Sequence, residues 1–421
     1  MQIVVIRYVL KCTNCGARTL FRIRVGFSDR DPFEFECGRC SGPIRGELHL
    51  DQKNVKVLGL KNLEGAAEER GRSEEPTDFA QMHDNYFLVD STATGPESFS
   101  AFLKAFGRHG KDAIVRSRNA AALERIIKDR PGLTRVIRNY QRGQWEHFAV
   151  GLAEYLPDSA TDSEPARLTA LLTLLDLVHM PYLASSRHEE FINAAFQCAD
   201  ECGYLFRTAM PMMLTDLRAG GYLAASDRDA TNLALRVLAT AEELRPLIVD
   251  WDPEHPAARV DTRLRVAAIA RFDSVKALYV DAYELLCRDL TVGTALANLR
   301  DRSNPNSYPT HPFKKFQRFR PRSIREFHQA AHAPKISFLV EYPLYIPWAQ
   351  SLDSSLRNAI GHNRITADSR TGLITYPARG RTVELTYANF LAMVLSCLVF
   401  VHEFHWLVAF LLVHFPDESN Q

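Results

Sequence analysis

The sequence lacks the short motifs that mark the common nucleotide-dependent and hydrolytic enzymes. Its 421 residues contain no Gly-rich phosphate loop, no Gly-x-Ser-x-Gly elbow and no dinucleotide-binding fingerprint, which argues against an ATPase or a hydrolase of the common folds. A large charge of one sign is also missing, because 51 Lys and Arg residues oppose 50 Asp and Glu residues. The formal net charge is +1, so any affinity for nucleic acid must come from local basic patches.

Two segments are apolar, but neither predicts a signal peptide or a membrane span. The N-terminal run MQIVVIRYVL is interrupted by Arg7, has no small-residue cleavage site after it, and predicts a β-strand. Residues 389–415 are long enough to cross a bilayer. However, three polar residues, His402, Glu403 and His405, would then lie near mid-membrane, where burying them in lipid costs several kcal/mol of free energy. We interpret this segment as a helix buried in a bundle or a dimer interface, and expect a cytoplasmic protein with free thiols.

The pattern of apolar residues predicts a mainly α protein with a small all-β domain at its N-terminus. Residues 1–55 contain short β-branched and aromatic runs, and residues 56–100 are polar and charged and predict a linker. Apolar residues then recur at helical spacing through 101–257, a helical region without an assigned role, and through a bundle at 258–421. Within the bundle, SIREFHQAAHA and PWAQSLDSSLRNAIG predict helices, KISFLVEY a strand, and GLITYPARGRTVELTY a β-hairpin before the last apolar helix.

Four of the eight cysteines form two Cys-x-x-Cys pairs in the N-terminal region. Cys12 and Cys15 are separated by 21 residues from Cys37 and Cys40, and a glycine follows each pair closely. Each pair can occupy one edge of the tetrahedron that Zn²⁺ requires, and two pairs in one β-rich segment argue against a redox motif or chance. The sequence therefore predicts one structural zinc, with no position open for water or substrate. The segment resembles a zinc ribbon.

The role of this ribbon is left open by its composition. Zinc ribbons often contact nucleic acid or protein, and the segment is rich in arginine. Arginines that could contact nucleic acid are Arg18, Arg22, Arg24, Arg30, Arg39 and Arg45. Arginines that alternate with apolar residues, as in LFRIRV, are equally expected on the solvated face of a strand. The cysteines outside the two pairs are explained more simply as buried thiols than as a second metal site.

The segment SSLRNAIGHNR contains an arginine and a histidine, Arg357 and His362, at a spacing that carries little information alone. The same spacing recurs from Arg142 to His147. The surroundings of the two pairs differ, because Asn358 adds an amide beside the first arginine, where a core helix would need none. The unit RNAIGH, and not the spacing, therefore makes this segment a candidate site.

An amphipathic helix is predicted to end just before the histidine of this unit. Leu352, Leu356 and Ile360 recur every four residues and mark its apolar face. On an unbroken helix a residue five positions on would point about 140° away from the arginine. Gly361 removes this objection, because glycine can adopt the left-handed conformation that ends a helix and turn His362 back toward the arginine or out of the bundle.

The unit RNAIGH resembles the motif of the HEPN superfamily, in which an arginine, often followed by a polar residue, precedes a histidine by four to six positions. The resemblance covers about residues 260–421. It implies a four-helix-type bundle and, in many members, metal-independent RNA cleavage at a homodimer interface. Arg357, Asn358 and His362 would then be the catalytic residues, with no cofactor for catalysis. Because one histidine cannot readily act as both acid and base, two chains would supply two histidines.

A basic segment, FKKFQRFRPRSIR at 313–325, is a second candidate for RNA contact. Its basic residues include Lys314, Lys315, Arg318, Arg320 and Arg322. Basic side chains can hold an RNA backbone while the interleaved phenylalanines stack on unpaired bases, although a solvated loop with inward-packed phenylalanines has the same composition. His328 and His332 follow at the i, i+4 spacing of metal ligands. They have no visible carboxylate or cysteine partner, and we interpret them as ordinary histidines.

Together these features predict a cytoplasmic, homodimeric endoribonuclease of HEPN type that forms a 2′,3′-cyclic phosphate. Such an enzyme is expected to act as a toxin-like or phage-defence effector, with RNA and a regulatory or antitoxin protein as partners and no membrane association. The alternative is a non-catalytic protein whose ribbon and bundle bind nucleic acid or protein. A third interpretation, transfer of a nucleotide to a partner protein, would require a nucleotidyltransferase encoded elsewhere.

Overall fold

Two regions make up the part of the chain that the structure, a computed structural model, describes. The described residues are 5–24, 29–51, 56–69, 78–83, 86–88, 112–183, 193, 203–248, 251–252, 272–310, 313–338, 351–368 and 372–415. An N-terminal β region precedes a mainly helical body, so the predicted mainly α fold class is confirmed. Its assignment to the HEPN superfamily stays a prediction.

The N-terminal β region consists of two small sheets. Its strands are β1 (Val5–Cys12), β2 (Arg18–Arg24), β3 (Arg30–Glu36), β4 (Pro43–Asp51), β5 (Lys56–Glu64), β6 (Ala66–Glu68), β7 (Asp78–His83) and β8 (Tyr86–Leu88). One sheet has the order β6-β1-β2-β7-β8, in which β2 and β7 are parallel. The other is antiparallel, with the order β3-β4-β5. Among the β-branched and aromatic runs of residues 1–55, IVVIRYVL, TLFRIRV and PFEFEC predict strands, and the structure confirms them as β1, β2 and β3.

A shared aromatic core joins the two sheets. Buried residues alternate along β4, because successive side chains of a strand point to opposite faces. The ring of Phe21 on β2 lies 4.5 Å from that of Phe33 and 5.2 Å from that of Phe35, both on β3. Cys12 and Cys37 are buried in the same core. The cysteines are therefore held at the point where the two sheets meet.

The predicted linker at residues 56–100 is wrong where the structure describes it. Strands β5 to β8 occupy most of the described residues in this range. Strands β5, β6 and β8 lie at sheet edges, and β5 is largely exposed. Strand β5 has no buried residue, and its apolar residues include the adjacent and exposed Val57 and Leu58. Its register against β4 also shifts twice, so it lacks the regular apolar alternation by which strands are recognised in a sequence.

The helical body contains the remaining elements. Its helices are α1 (Asp112–Gln141), α2 (Trp145–Ala153), α3 (Glu164–His179), α4 (Gly203–Ala219), α5 (Tyr222–Ala239), α6 (Ala241–Leu244), α7 (Phe272–Arg302), α8 (Ile324–Gln329), α9 (His332–Phe338), α10 (Ser354–Gly361) and α11 (Tyr387–His414). Strands β9 (Thr366–Asp368), β10 (Leu373–Ala378) and β11 (Arg381–Thr386) form a sheet of order β11-β10-β9, which confirms the predicted hairpin. One hydrophobic core includes residues of α1, α3, α5, α7 and α11, so the two predicted helical regions pack as one body.

Helix α11 has the length and apolar composition of a membrane-spanning helix, but 83% of its most apolar window is buried in the protein. Its mid-helix histidines have carboxylate partners on other helices. His402 Nε2 lies 2.7 Å from Asp176 Oδ1 on α3, and His405 Nε2 lies 2.8 Å from Asp227 Oδ1 on α5. Trp406 Nε1 also donates to Asp176. The polar groups that argued against a membrane span therefore bind α3 and α5 to the central helix.

The segment KISFLVEY, predicted as a strand, begins as the second half of helix α9. Lys335, Ile336 and Phe338 are buried there, and Pro334 lies in the first turn, where a missing N–H is tolerated. A short apolar run does not distinguish a buried helix from a buried strand, which explains the wrong prediction for residues 335–338. Residues 339–342 of the predicted strand lie outside the described residues. The helix predicted for SIREFHQAAHA is two helices, because Ala330 is extended (ψ 154°) and separates α8 from α9.

Candidate metal centre and candidate catalytic site

Two turns with the same backbone geometry carry the four cysteines. In the first, the Gly16 N–H donates to the carbonyl of Cys12 at 3.0 Å, and in the second the Ser41 N–H donates to the carbonyl of Cys37 at 2.9 Å. Gly16 (φ 72°) and Ser41 (φ 53°) both adopt the left-handed conformation. Each turn therefore returns the chain tightly after its Cys-x-x-Cys pair and directs both thiols to one side.

The four sulfur atoms lie together at the spacing of a metal site. All four Sγ atoms are within 4.8 Å of one another. Cys12 Sγ lies 3.7 Å from Cys40 Sγ, and Cys15 Sγ lies 3.6 Å from Cys37 Sγ. A tetrahedral ion with bonds of about 2.3 Å to sulfur separates its ligands by about 3.8 Å. A disulfide would bring two sulfurs to about 2.05 Å. The cluster is compatible with a zinc ribbon and can bind a metal ion such as zinc.

Arg357 projects from α10 onto a carboxylate of α7. Its Nε donates to Glu284 Oε1 at 2.6 Å, and its Nη2 pairs with the same oxygen. Its Nη1 donates to Asn358 Oδ1 at 3.3 Å, so the structure brings these two predicted site residues together. Glu284 was missed in the sequence because it lies 73 positions before Arg357, and no motif links the two.

Helix α10 is clamped at its N-terminus by two tyrosines and a capping carboxylate. Asp353 Oδ1 accepts from two backbone N–H groups of the first turn, at 2.7 and 3.1 Å. Its Oδ2 accepts from the Tyr376 hydroxyl on β10 at 2.9 Å. The Tyr279 hydroxyl on α7 donates to the Ser351 carbonyl at 3.2 Å. These bonds hold α10 between α7 and the hairpin, and so direct Arg357 toward Glu284. The helix starts at Ser354, later than the sequence predicted.

The C-terminus of α10 ends in a Schellman motif. The N–H groups of Arg364 and Asn363 donate to carbonyls of the last turn, at 2.8 and 3.1 Å. The left-handed residue is Asn363 (φ 51°), so the prediction that Gly361 would adopt this conformation is wrong. Asparagine tolerates it because its short polar side chain can bond locally. The His362 side chain is exposed, and within the described residues it makes no hydrogen bond or ion pair.

A second histidine faces Glu284 from α9. His332 Nε2 lies 3.5 Å from Glu284 Oε2, so this histidine has the carboxylate partner that the sequence did not reveal. His328 lies at the end of α8, so the two histidines do not share one helical face. Lys335, one turn after His332, is 2% exposed and its Nζ donates to the carbonyl of His328. Burial lowers the pKa of Lys335 to about 8 and also lowers the pKa of His332.

The basic segment lies on the surface between α7 and α8. Lys314 and Lys315 lie in a 3₁₀ turn (Lys314–Phe316). Exposed basic residues of the segment are Lys314, Arg318, Arg320, Arg322 and Arg325. The ring of Phe319 packs inward, 5.4 Å from that of Phe338, whereas Phe313 is 43% exposed. The structure thus presents the charges to solvent and leaves Phe313 as an exposed ring, while RNA contact by this segment stays a prediction.

Comparisons with protein-family models, curated proteins and solved structures found no match to this chain. The resemblance to the HEPN superfamily therefore depends on the unit RNAIGH and its setting before a hairpin and a last apolar helix. A function has to be argued from the chemistry of the two sites.

Proposed function

We propose that this protein is a metal-independent endoribonuclease of HEPN type, with Arg357 and His362 as catalytic residues and Asn358 as their polar neighbour. The observation that carries the proposal is that the guanidinium of Arg357 extends along a short, clamped helix toward its C-terminus. There it contacts the amide of Asn358 and lies 3.8 Å from the Cβ position of Gly361, directly before the exposed His362. A helix buried in a core would not need the hydrogen-bonding groups of Asn358 and His362 at exposed positions.

The side chains suit cleavage by attack of a ribose 2′-hydroxyl. An imidazole that titrates near neutral pH can take the 2′-OH proton or give a proton to the leaving 5′-oxygen. The guanidinium of Arg357 binds phosphate oxygens and stabilises the charge that grows on them. In the free protein Glu284 neutralises this guanidinium, so a bound phosphate would compete with the carboxylate. The products would be a 2′,3′-cyclic phosphate and a 5′-hydroxyl.

The reaction requires a second proton-transfer group beside His362. A homodimer in which two copies of the unit face each other would supply a second imidazole, as the HEPN resemblance implies. An RNase of this type has to be restrained in the cell, so we propose a cytoplasmic toxin-like or phage-defence effector controlled by a regulatory or antitoxin protein.

We further propose that the four-cysteine cluster binds one structural zinc. The sulfur spacing matches tetrahedral zinc, and four thiolates fill its coordination sphere, so the ion has no position for water or substrate. The ion would hold the two sheets of the β region together beside the helical body. The proposal thus assigns the structural metal to the N-terminal β region and the metal-independent catalysis to the helical body.

The test compares the cleavage of mixed RNA, in excess EDTA, by the wild-type protein and by Arg357→Ala and His362→Ala. Each variant should cleave at least about 10²-fold more slowly. Arg142→Ala and His147→Ala are matched controls, because these exposed residues have the same spacing on another part of the surface. Zinc content is measured after incubation, so that loss of the ribbon metal is recognised.

Two results would contradict this proposal. Equal cleavage by wild type and both site variants would remove Arg357 and His362 from the reaction. Cleavage that appears only with added Mg²⁺ would rule out the metal-independent mechanism.

A non-catalytic binding protein is the second candidate function. The pairing of Arg357 with Glu284 favours it, because a guanidinium already neutralised resembles a structural ion pair. Under this alternative, RNA or a protein partner would bind the exposed basic segment without being cleaved. Saturable RNA binding with no product after prolonged incubation would identify it.

A further inference from the structure

The carboxylate of Glu284 connects two side chains that are far apart in the sequence. Its Oε1 accepts from Arg357 Nε on α10 at 2.6 Å, and its Oε2 lies 3.5 Å from His332 Nε2 on α9. One side chain of helix α7 thus holds a guanidinium on one oxygen and an imidazole on the other. The arrangement uses residues of three helices and is complete within one chain.

We propose that His332 supplies the second imidazole of the ribonuclease site, oriented by Glu284 and adjacent to the phosphate bound at Arg357. This inference rests on the proposed function. It replaces the histidine of a partner copy with a histidine of the same chain. A homodimer is then not required by the proton transfers.

The three side chains are open to a substrate while the groups beneath them are buried. The side chains of Arg357, Glu284 and His332 are 33%, 32% and 31% exposed. The ring of Tyr283 lies 5.7 Å from that of His332 and forms one wall. Lys335 lies below, nearly fully buried. A phosphodiester can therefore reach the imidazole and the guanidinium from solvent. The buried ammonium group of Lys335 adds positive charge beneath the place where the phosphate would bind.

The carboxylate also sets which nitrogen of His332 can act as a base. A carboxylate facing Nε2 favours the tautomer with its proton on Nε2, which leaves Nδ1 as an acceptor. Around the ring, α7 contributes Tyr283, Glu284 and Arg288, α9 contributes Lys335, and α10 contributes Arg357. Burial and the three cations outweigh Glu284 and lower the pKa of His332, which keeps the imidazole neutral as a general base must be.

The reaction balances with two histidines of one chain. The 2′-O–H proton moves to Nδ1 of His332 as the 2′-oxygen attacks phosphorus. Arg357 binds a non-bridging oxygen, the P–O5′ bond breaks, and the exposed His362 gives a proton to the leaving 5′-oxygen. The acid and the base are restored by proton exchange with water. No oxidant, metal or further reactant is needed.

The test measures single-turnover cleavage across pH for wild type, His332→Ala and His332→Gln, with His147→Ala as the matched surface control. We expect both His332 variants to be slower by about 10²-fold and to lose the acidic limb of the pH–rate profile. Added imidazole should restore part of the activity of His332→Ala, an effect that a merely structural role would not produce. Thermal unfolding of each variant checks that the fold is retained.

The outcomes separate this inference from the proposed function. Wild-type rate and pH profile in both His332 variants, with His362→Ala inactive, would overturn the role of His332 and leave the ribonuclease in place. Mixing His332→Ala with His362→Ala chains should restore nothing, because each chain keeps a defective site. Recovery of activity in the mixture would overturn the single-chain site. A wild-type protein without RNase activity would overturn the proposed function itself.

Discussion

The cysteine cluster and the end of helix α10 were both recognised from short motifs, but they relate differently to the rest of the chain. In the cluster, every ligand belongs to one of the two motifs, and each turn builds its own geometry. At α10, the groups that contact the predicted arginine include Glu284 of α7, which no motif contains. A site whose parts are all local can be predicted from spacing, whereas a site completed by distant residues cannot.

The largest expected effect tests the local site. Cys37→Ser should reduce the metal content from about one ion per chain to nearly none, because the remaining three thiolates cannot complete the tetrahedron. The binding free energy of a structural zinc, about 10–16 kcal/mol, is folding free energy, so the two N-terminal sheets should become sensitive to protease. Elemental analysis and limited proteolysis measure both effects.

A buried cysteine of the helical body is the control for this change. Cys397 lies in α11 with its Sγ 3.7 Å from the Ser351 carbonyl, far from the cluster in the fold. Cys397→Ser should keep the full metal content. Retention of one ion per chain by Cys37→Ser would show that Cys37 is not a ligand.

Removing the capping carboxylate of α10 tests how far the site at Arg357 depends on tertiary contacts. Asp353→Ala should lower the free energy of unfolding by about 1–2 kcal/mol, because two backbone N–H groups lose their cap and the Tyr376 hydroxyl loses its acceptor. Ser163→Ala at the start of α3 is the control, since it removes one capping bond of 3.3 Å. Urea titration compares them, and a smaller loss for Asp353→Ala than for Ser163→Ala would refute the clamp.

Removing the carboxylate between the two candidate catalytic side chains should change RNA binding more than stability. The pair of Glu284 with Arg357 is about one-third exposed, so Glu284→Gln should cost at most about 1 kcal/mol of stability. RNA should bind more tightly at low salt, since a negative charge leaves the phosphate site, while cleavage should slow. A titration of RNA affinity against salt measures this, and weaker binding would contradict it.

The smallest effect distinguishes the predicted end of α10 from the observed one. Gly361 is helical here, and an added Cβ would meet only Arg357 Nη1 at 3.8 Å, an ordinary contact. Gly361→Ala should therefore change stability by less than about 1 kcal/mol, in the stabilising direction. Asn363→Ala should cost about 1 kcal/mol because alanine is strained at φ 51°. A larger loss of stability for Gly361→Ala than for Asn363→Ala would show that Gly361 is the left-handed residue that ends the helix.

Much of the fold could be predicted because its elements carry their own periodicity. Strands β1 to β3 and the β10–β11 hairpin have apolar or aromatic runs bounded by turn residues, and α11 is predominantly apolar. Strand β5 could not be predicted because an exposed edge strand has no buried face. Helix α9 could not be separated from a strand because only the packing of Lys335 and Phe338 decides its conformation.

The sequence by itself determined each Cys-x-x-Cys pair, because two cysteines in one tight turn lie close together whatever the rest of the chain does, and it indicated a four-cysteine site by the recurrence of the pair. The packing of the two sheets through Phe21, Phe33 and Phe35 then brings the two pairs together. It also determined that Arg357 and Asn358 are neighbours. Only the tertiary structure decided that Arg357 meets Glu284, that His332 faces the same carboxylate, and that the helix turns at Asn363. The physical reason is that these contacts depend on how α7, α9 and α10 pack, and packing joins residues that no local pattern relates.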